Sequence, residues 1–156
     1  MAKDLSALRT VADYQFGAGA GAALFPPDAA GDLTVSRSTG GRPRQVHADE
    51  GRLVSFGVDG RFTLGVAGGE RLRAALSPPA YRVVVGAESE PYVRDGANAF
   101  AKFVRDAGPA IRPRDEVLVV DGDDELLAVG TAALGADAMR DFETGMAVDV
   151  REGRDE

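Results

Sequence analysis

Glycine and proline punctuate this chain throughout: 20 glycines and 8 prolines fall among 156 residues, and short apolar runs lie between them. Each glycine frees the backbone for a turn and each proline removes a backbone donor, so short strands joined by turns are favoured over long helices. The apolar residues are mostly aliphatic, and neither tryptophan nor cysteine is present. Without cysteine, a disulfide framework and a thiolate metal site are both excluded. No apolar run approaches the ~20 residues of a membrane-spanning helix, and Met1 to Arg9 lacks the charged-then-apolar order of a secretion signal. A cytoplasmic protein without a membrane partner is expected.

The length suits one domain or two small ones. Each of two such domains would bury only about 60% of its unfolded surface, which favours their packing together. In the first half, Asp4 is placed to cap a helix running to about Tyr14, with Leu5, Leu8 and Val11 or Ala12 on one face. The Gly/Ala stretch from Phe16 to Ala23 must end that helix and bring backbone close to a neighbour. Leu33 to Arg37, Arg44 to His47, Arg52 to Val58 and Arg61 to Val66 read as strands, with a hairpin turn at Val58-Asp59-Gly60-Arg61. Gly69 to Leu76 reads as a helix with Leu72, Ala75 and Leu76 inward, closed by Ser77-Pro78-Pro79. That closure sets the domain boundary, giving domains 1–77 and 79–153.

The second half opens with Tyr81 to Val85, a strand expected to be buried on both faces. Pro91 to Ala97 is a turn or short helix, followed by strands over Phe100 to Val104, Glu116 to Val120 and Leu126 to Ala132. Gly122 sits at the hairpin tip between the last two. A helix from Asp137 to Glu143 should turn Met139 and Phe142 inward and stop at Gly145, before a last strand from Met146 to Arg151. The fold class is α+β: a small α+β domain packed on a small mixed barrel.

Five of these segments together carry a resemblance. They are Tyr81-Arg82-Val83-Val84-Val85, Gly96-Ala97-Asn98-Ala99-Phe100-Ala101, Arg112-Pro113-Arg114-Asp115-Glu116-Val117-Leu118-Val119-Val120, Leu127-Ala128-Val129-Gly130 and Gly145-Met146-Ala147-Val148-Asp149-Val150-Arg151. In order and spacing they resemble the PUA domain, the RNA-binding barrel named after pseudouridine synthases and archaeosine transglycosylases. Ala12-Asp13-Tyr14-Gln15-Phe16-Gly17, then Val35 to Gly40 with Arg42 and Arg44, then Phe62-Thr63-Leu64, resemble the domain that precedes PUA in archaeal tRNA-guanine transglycosylases. The catalytic barrel of that family needs a far longer chain. The resemblance therefore implies a tRNA-binding region without the chemistry. Gly135 departs from the pattern, since the PUA helix more often starts at a capping Ser or Thr.

Net charge is -7 but unevenly placed: residues 1–78 carry 9 basic and 8 acidic groups, 79–114 carry 6 and 4, and 115–156 carry 3 and 13. Only Lys3 and Lys102 are lysine, and 16 Asp outnumber 9 Glu. An Asp-rich, Lys-poor surface fits a salt-rich cytoplasm, so the net acidity does not exclude RNA. In PUA domains a glycine lets backbone approach the sugar-phosphate chain. By resemblance that glycine is Gly96, beside Ala97, with Arg94, Lys102, Arg112 and Arg114 supplying cations for phosphate. Arg37, Arg42 and Arg44, with Ser36, Ser38 and Thr39 and no acid among them, form a second phosphate-gripping candidate. The acids from Asp115 to Glu125 and those after Arg151 are expected to face away from RNA.

Other chemistry is weakly supported. Gly17-Ala18-Gly19-Ala20-Gly21 follows a helix where a dinucleotide loop would follow a strand, so packing or chain reversal is its expected role. His47 is the only histidine and no serine elbow accompanies it. Asp121, Asp123, Asp124 and Glu125 lack calcium-loop spacing and read as solvated hairpin acids. Adjacent strand residues such as Asp115 and Glu116 face opposite ways and cannot act on one substrate. Of Phe100 and Phe103, one should be core and the other available to stack on a base or pack on the first domain. No catalytic set, metal or cofactor is expected. By the resemblance, the expected partner is tRNA or another structured RNA, gripped at the acceptor stem and 3′ end. The alternative is an accessory subunit that supplies this grip in trans to a catalytic tRNA-modifying enzyme.

Overall fold

A computed structural model describes residues 2–156, with side chains from residue 5 onward. The chain divides into two compact units, one ending at Leu76 and the other beginning at Ser77. The first opens with helix α1 (Ala2–Phe16), which puts Leu5, Leu8, Ala12 and Phe16 on one buried face at three- and four-residue intervals. The expected cap, the side chain of Asp4, lies outside the described residues. Gly17 and Gly19, at φ of 104° and 93°, then turn the chain back. A Cβ on Gly21 would collide with the Arg9 carbonyl, so the Gly/Ala run does bring two backbones into contact. It also contains a second helix, α2 (Ala20–Leu24), which its sequence does not announce because Gly and Ala draw no amphipathic pattern.

Four strands follow, β1 (Thr34–Arg37), β2 (Pro43–Ala48), β3 (Gly51–Phe56) and β4 (Phe62–Leu64), paired antiparallel in chain order. The β3–β4 turn is the expected one: Gly60 has φ of 81° and Asp59 Oδ1 accepts the Arg61 N–H at 3.1 Å. Gln15 joins α1 to the edge of this sheet, donating Nε2 to the Phe62 carbonyl at 2.9 Å and accepting the Phe62 N–H at 2.7 Å. The Phe62 ring meets Phe25 and Phe56 edge-on, with centroids 5.8 and 5.4 Å away. Helix α3 (Val66–Ala75) begins three residues earlier than expected and packs on β3. Its buried face is Gly68, Gly69 and Leu72, while Ala75 is exposed. Hydrophobic periodicity misplaces this face because its contact surface is glycine: a Cβ on Gly68 would strike the Leu53 carbonyl.

The second unit holds β5 (Arg82–Val85), α4 (Glu90–Arg94), β6 (Ala99–Phe100), β7 (Val104–Ala107), β8 (Glu116–Val120), β9 (Leu126–Ala132), α5 (Ala136–Asp141) and β10 (Met146–Gly153). The strand order is β6-β10-β9-β8-β5-β7, antiparallel except for the parallel β5–β8 pair. The strand expected over Phe100 to Val104 is broken: Ala101–Phe103 is a 3-10 turn, tied by the Ala101 N–H to the Gly145 carbonyl at 2.9 Å. Because this turn links β6 to β7, the two ends of the sheet are consecutive in the chain and it curls into a nearly closed mixed barrel. The core comprises Val83, Val85, Val117, Val119, Leu127, Met139 and Val148, among others.

Helix α5 packs on β7 and on the 3-10 turn, starting at Gly135 with no side-chain cap. Met139 is buried as expected, but Phe142 is 51% exposed. The helix ends at Asp141 and Phe142 has extended φ and ψ (-79°, 137°), which takes its ring off the helical face. Two ion pairs of the barrel each have a buried member. The Arg82 side chain, 2% exposed, meets Asp124 at 3.0 and 3.1 Å, so one of the supposed solvated hairpin acids is a buried arginine's partner. Glu116, 4% exposed, takes a two-pronged contact from Arg151 at 2.7 and 2.8 Å and the Thr131 hydroxyl at 2.9 Å.

Two outcomes are expected in denaturant melts. Gly68→Ala adds helix propensity, yet the collision with Leu53 should make it destabilising by about 1–3 kcal/mol. Met139→Ala should cost about 2–5 kcal/mol and Phe142→Ala no more than about 0.5 kcal/mol.

Candidate nucleic-acid interface

The cations of the barrel differ in what surrounds them. Arg82, Arg105, Arg140 and Arg151 are each held by a carboxylate, from Asp124, Glu88, Asp137 and Glu116 respectively. Lys102, Arg112 and Arg114 have no ion pair among the described residues, and all three are exposed. Lys102 sits in the 3-10 turn with its ammonium 4.9 Å from the Phe103 ring centre. Arg112 and Arg114 lie in the loop before β8. Arg114 has a left-handed backbone (φ 78°), and its N–H bonds the Ala132 carbonyl at 2.8 Å. Helix α5 touches both segments: it packs on the 3-10 turn, and the Ala136 N–H bonds the Ile111 carbonyl at 3.1 Å. Three cations without an ion pair among the described residues therefore flank one short helix, the Asp115 carboxylate being turned onto the Arg112 N–H at 2.9 Å, an arrangement suited to backbone phosphates.

The Gly96 region is built differently. Helix α4 delivers Arg94, and Gly96 follows at φ of 100°, a conformation that favours glycine. Ala97 is exposed, and Asn98 Oδ1 accepts the Val150 N–H at 2.9 Å, fixing this loop to β10. Here the acids come close. Arg94 Nε donates to Asp155 Oδ2 at 2.9 Å, Glu90 lies 3.9 Å from the guanidinium, and a Cβ on Gly96 would collide with the Glu156 carboxylate. The hydrogen bond that Arg94 donates to Asp155 and the charge of that carboxylate, with Glu90 and Glu125 adding theirs, hold the Arg94 guanidinium above its ordinary pKa. Asp155 and Glu156, among the acids expected to face away from RNA, thus lie against the candidate Arg94–Gly96 segment, and the charge of Glu125 also acts on Arg94. The separation in sequence hid it, because the chain returns along β10 to the end of α4.

In the first unit, Arg37, Arg42 and Arg44 border the β1–β2 turn. Arg37 donates to the Gly41 carbonyl at 2.9 Å. Arg42 donates to the Gly57 carbonyl at 2.9 Å with its guanidinium 5.4 Å over the Phe56 ring, and so bridges to the end of β3. Arg44 is exposed and without an ion pair among the described residues. The His47 ring bonds the Gln45 amide at 2.9 Å, and among the described residues no ion pair with an acid is found for it. Asp121 Oδ1 is turned onto the N–H groups of Asp123 and Glu125 at 2.8 and 3.0 Å, and no metal-binding cluster occurs among the described residues.

Aromatic placement also differs from expectation. Neither Phe100 nor Phe103 is in the core: Phe100 is 46% exposed and Phe103 half-buried, since the break between β6 and β7 takes both off a regular strand. Tyr92 on α4, 67% exposed, belongs with Phe100 and Phe142 as ring surface available for stacking. The sequence signal for Tyr92 was its place in a five-residue helix with Val93 buried beside it.

Residues 6–79 match the patch-forming domain C2 of tRNA-guanine transglycosylase, and residues 81–154 match the PUA domain. The tRNA-guanine(15) transglycosylase of Methanothermobacter thermautotrophicus is 46% identical over 151 residues, 96% of this chain and 23% of that protein. That of Thermococcus kodakarensis is 50% identical over 144 residues, 92% of this chain and 24% of that protein. The chain thus spans about a quarter of the length of these curated relatives. A hypothetical protein from Pyrococcus horikoshii OT3 shares the fold at a TM-score of 0.66 and 20% identity, over 98% of this chain and 91% of that one. A conserved PUA domain protein from Thermoplasma acidophilum does so at 0.62 and 18%, over 98% and 90%.

The ion pair of Arg94 has a spectroscopic consequence. Its Nε–H should exchange with solvent more slowly than that of Arg112, and Asp155→Asn should abolish the difference in proton-exchange NMR.

Proposed function

Because the chain is a PUA-domain protein resembling the C-terminal, C2-plus-PUA region of archaeal tRNA-guanine transglycosylases, we propose that it binds tRNA at the acceptor stem and 3′ end and performs no chemistry itself. The observation that carries this reading is the set of exposed cations without an ion pair among the described residues, Lys102, Arg112 and Arg114, on the two segments that α5 touches. Phosphate oxygens accept from these side chains without base discrimination, and the Gly96–Ala97 segment, where Glu156 lies against the backbone, is the place where the family resemblance puts a sugar-phosphate chain. Exposed rings such as Phe100 and Phe142 suit unpaired bases of a single-stranded end. Arg37, Arg42 and Arg44 on the first unit add a second grip on a ligand as large as tRNA. The Asp-rich, Lys-poor composition fits a salt-rich cytoplasm, where hydrogen bonding and shape carry more of the affinity than charge.

A second reading, resting on the same likeness to the C-terminal region of tRNA-guanine transglycosylases, is an accessory subunit that lends this grip to a separate catalytic tRNA-modifying enzyme. In that case the protein co-purifies with the enzyme and raises its turnover on tRNA.

The test is binding of bulk tRNA across a potassium chloride series reaching molar concentration, with intact tRNA and tRNA trimmed of its single-stranded 3′ end. Trimming should weaken binding. Lys102→Ala, Arg112→Ala and Arg114→Ala should each flatten the slope of log affinity against log salt by about 0.7–0.9. Absence of binding at any salt overturns the free-standing reading and leaves the accessory subunit.

A further inference from the structure

The chain fills its own Gly96 opening. After β10 it returns to the end of α4, where two reciprocal contacts fasten it: the Asp155 N–H bonds the Arg94 carbonyl at 2.9 Å, and Arg94 Nε bonds Asp155 Oδ2 at 2.9 Å. Glu156 follows, its N–H on the Gly153 carbonyl at 3.2 Å and its Oε1 accepting the Gly153 N–H at 3.4 Å. Its carboxylate lies against Gly96 in the volume a side chain there would take. The donors to the two carboxylates, the Arg94 guanidinium and the Gly153 N–H, are of the kinds that also hold phosphate oxygens. The hold is loose. Asp155 and Glu156 are exposed, and the Glu156 contact to Gly153 is long.

We propose that Asp155 and Glu156 occupy this cradle as carboxylate stand-ins for phosphate, and that an RNA phosphate enters only by displacing them. The inference rests on the RNA-binding reading above and adds its regulation. Arg94, already neutralised by Asp155 with Glu90 and Glu125 nearby, offers a phosphate little net attraction until Asp155 leaves. The segment therefore screens out weakly held anions and admits a ligand anchored elsewhere, at Lys102, Arg112 and Arg114. Free phosphate lacks those second contacts and does not displace it.

The experiment compares tRNA binding by the intact protein and by the double variant Asp155→Asn/Glu156→Gln, across the same salt series. The variant should bind roughly three- to tenfold tighter, with a salt slope steeper by about 0.7–0.9, because Arg94 now releases a counterion of its own. Arg94→Gln in the double-variant background should cancel both gains. Asp28→Asn/Asp49→Asn removes the same charge from the first unit and should give neither. If the double variant binds no tighter than the intact protein, or if the first-unit control gains as much, the displacement proposal falls while the RNA-binding reading stands. If neither protein binds tRNA at any salt, both fall.

Discussion

The barrel exists because one strand is broken. Six strands in the order β6-β10-β9-β8-β5-β7 would leave two edges, each presenting unpaired backbone groups. Three residues, Ala101–Phe103, join the strands at those edges, so the sheet must curl until its ends are neighbours. The same break lifts Lys102 and the flanking rings out of the strand pattern, and it gives α5 a surface to rest on. The cations that suit phosphate are thus a by-product of closure: a continuous strand through this region would alternate its side chains between core and solvent and leave no platform.

Elsewhere close approach is achieved by omission of side chains. Gly21 lets α2 lie on α1, Gly68 lets α3 lie on β3, and Gly130 faces the Asp149–Val150 backbone where β9 meets β10. Gly153 stands against the Arg94 carbonyl and the Gly96 N–H, so the last turn of α4 and the end of β10 meet main chain to main chain. The last of these contacts, with the Asn98 side chain on the Val150 N–H, positions the Gly96 loop. Together the contacts also account for much of the glycine that would otherwise read as flexible linker.

That economy sets what could be read from the sequence. Strands β8 and β9 fall where their unbroken apolar runs put them, and the β3–β4 turn follows from Asp-Gly chemistry. Helix α2 and the inward face of α3 escape notice, since a packing face made of glycine and alanine has no hydrophobic signature. Phe142 misleads for the opposite reason: its spacing from Met139 is helical, but the helix has already ended. Of the site, the cation types were legible and their partners were not. Whether an arginine is balanced depends on which acids the fold returns to it, and Asp155 reaches Arg94 across 61 residues of sequence.

The position of β10 carries a consequence for assembly. It is the last strand in the sequence but lies inside the sheet, between β6 and β9, and β5 likewise pairs with β8 across an intervening helix and two strands. The first unit, by contrast, is a meander whose partners are always adjacent in sequence. Chain-closure entropy thus weighs little on the first unit and heavily on the second. Until residues 146–153 lie in place, β6 has no partner strand and one edge of β9 is bare, so the barrel is closed only by the strand that the chain supplies last.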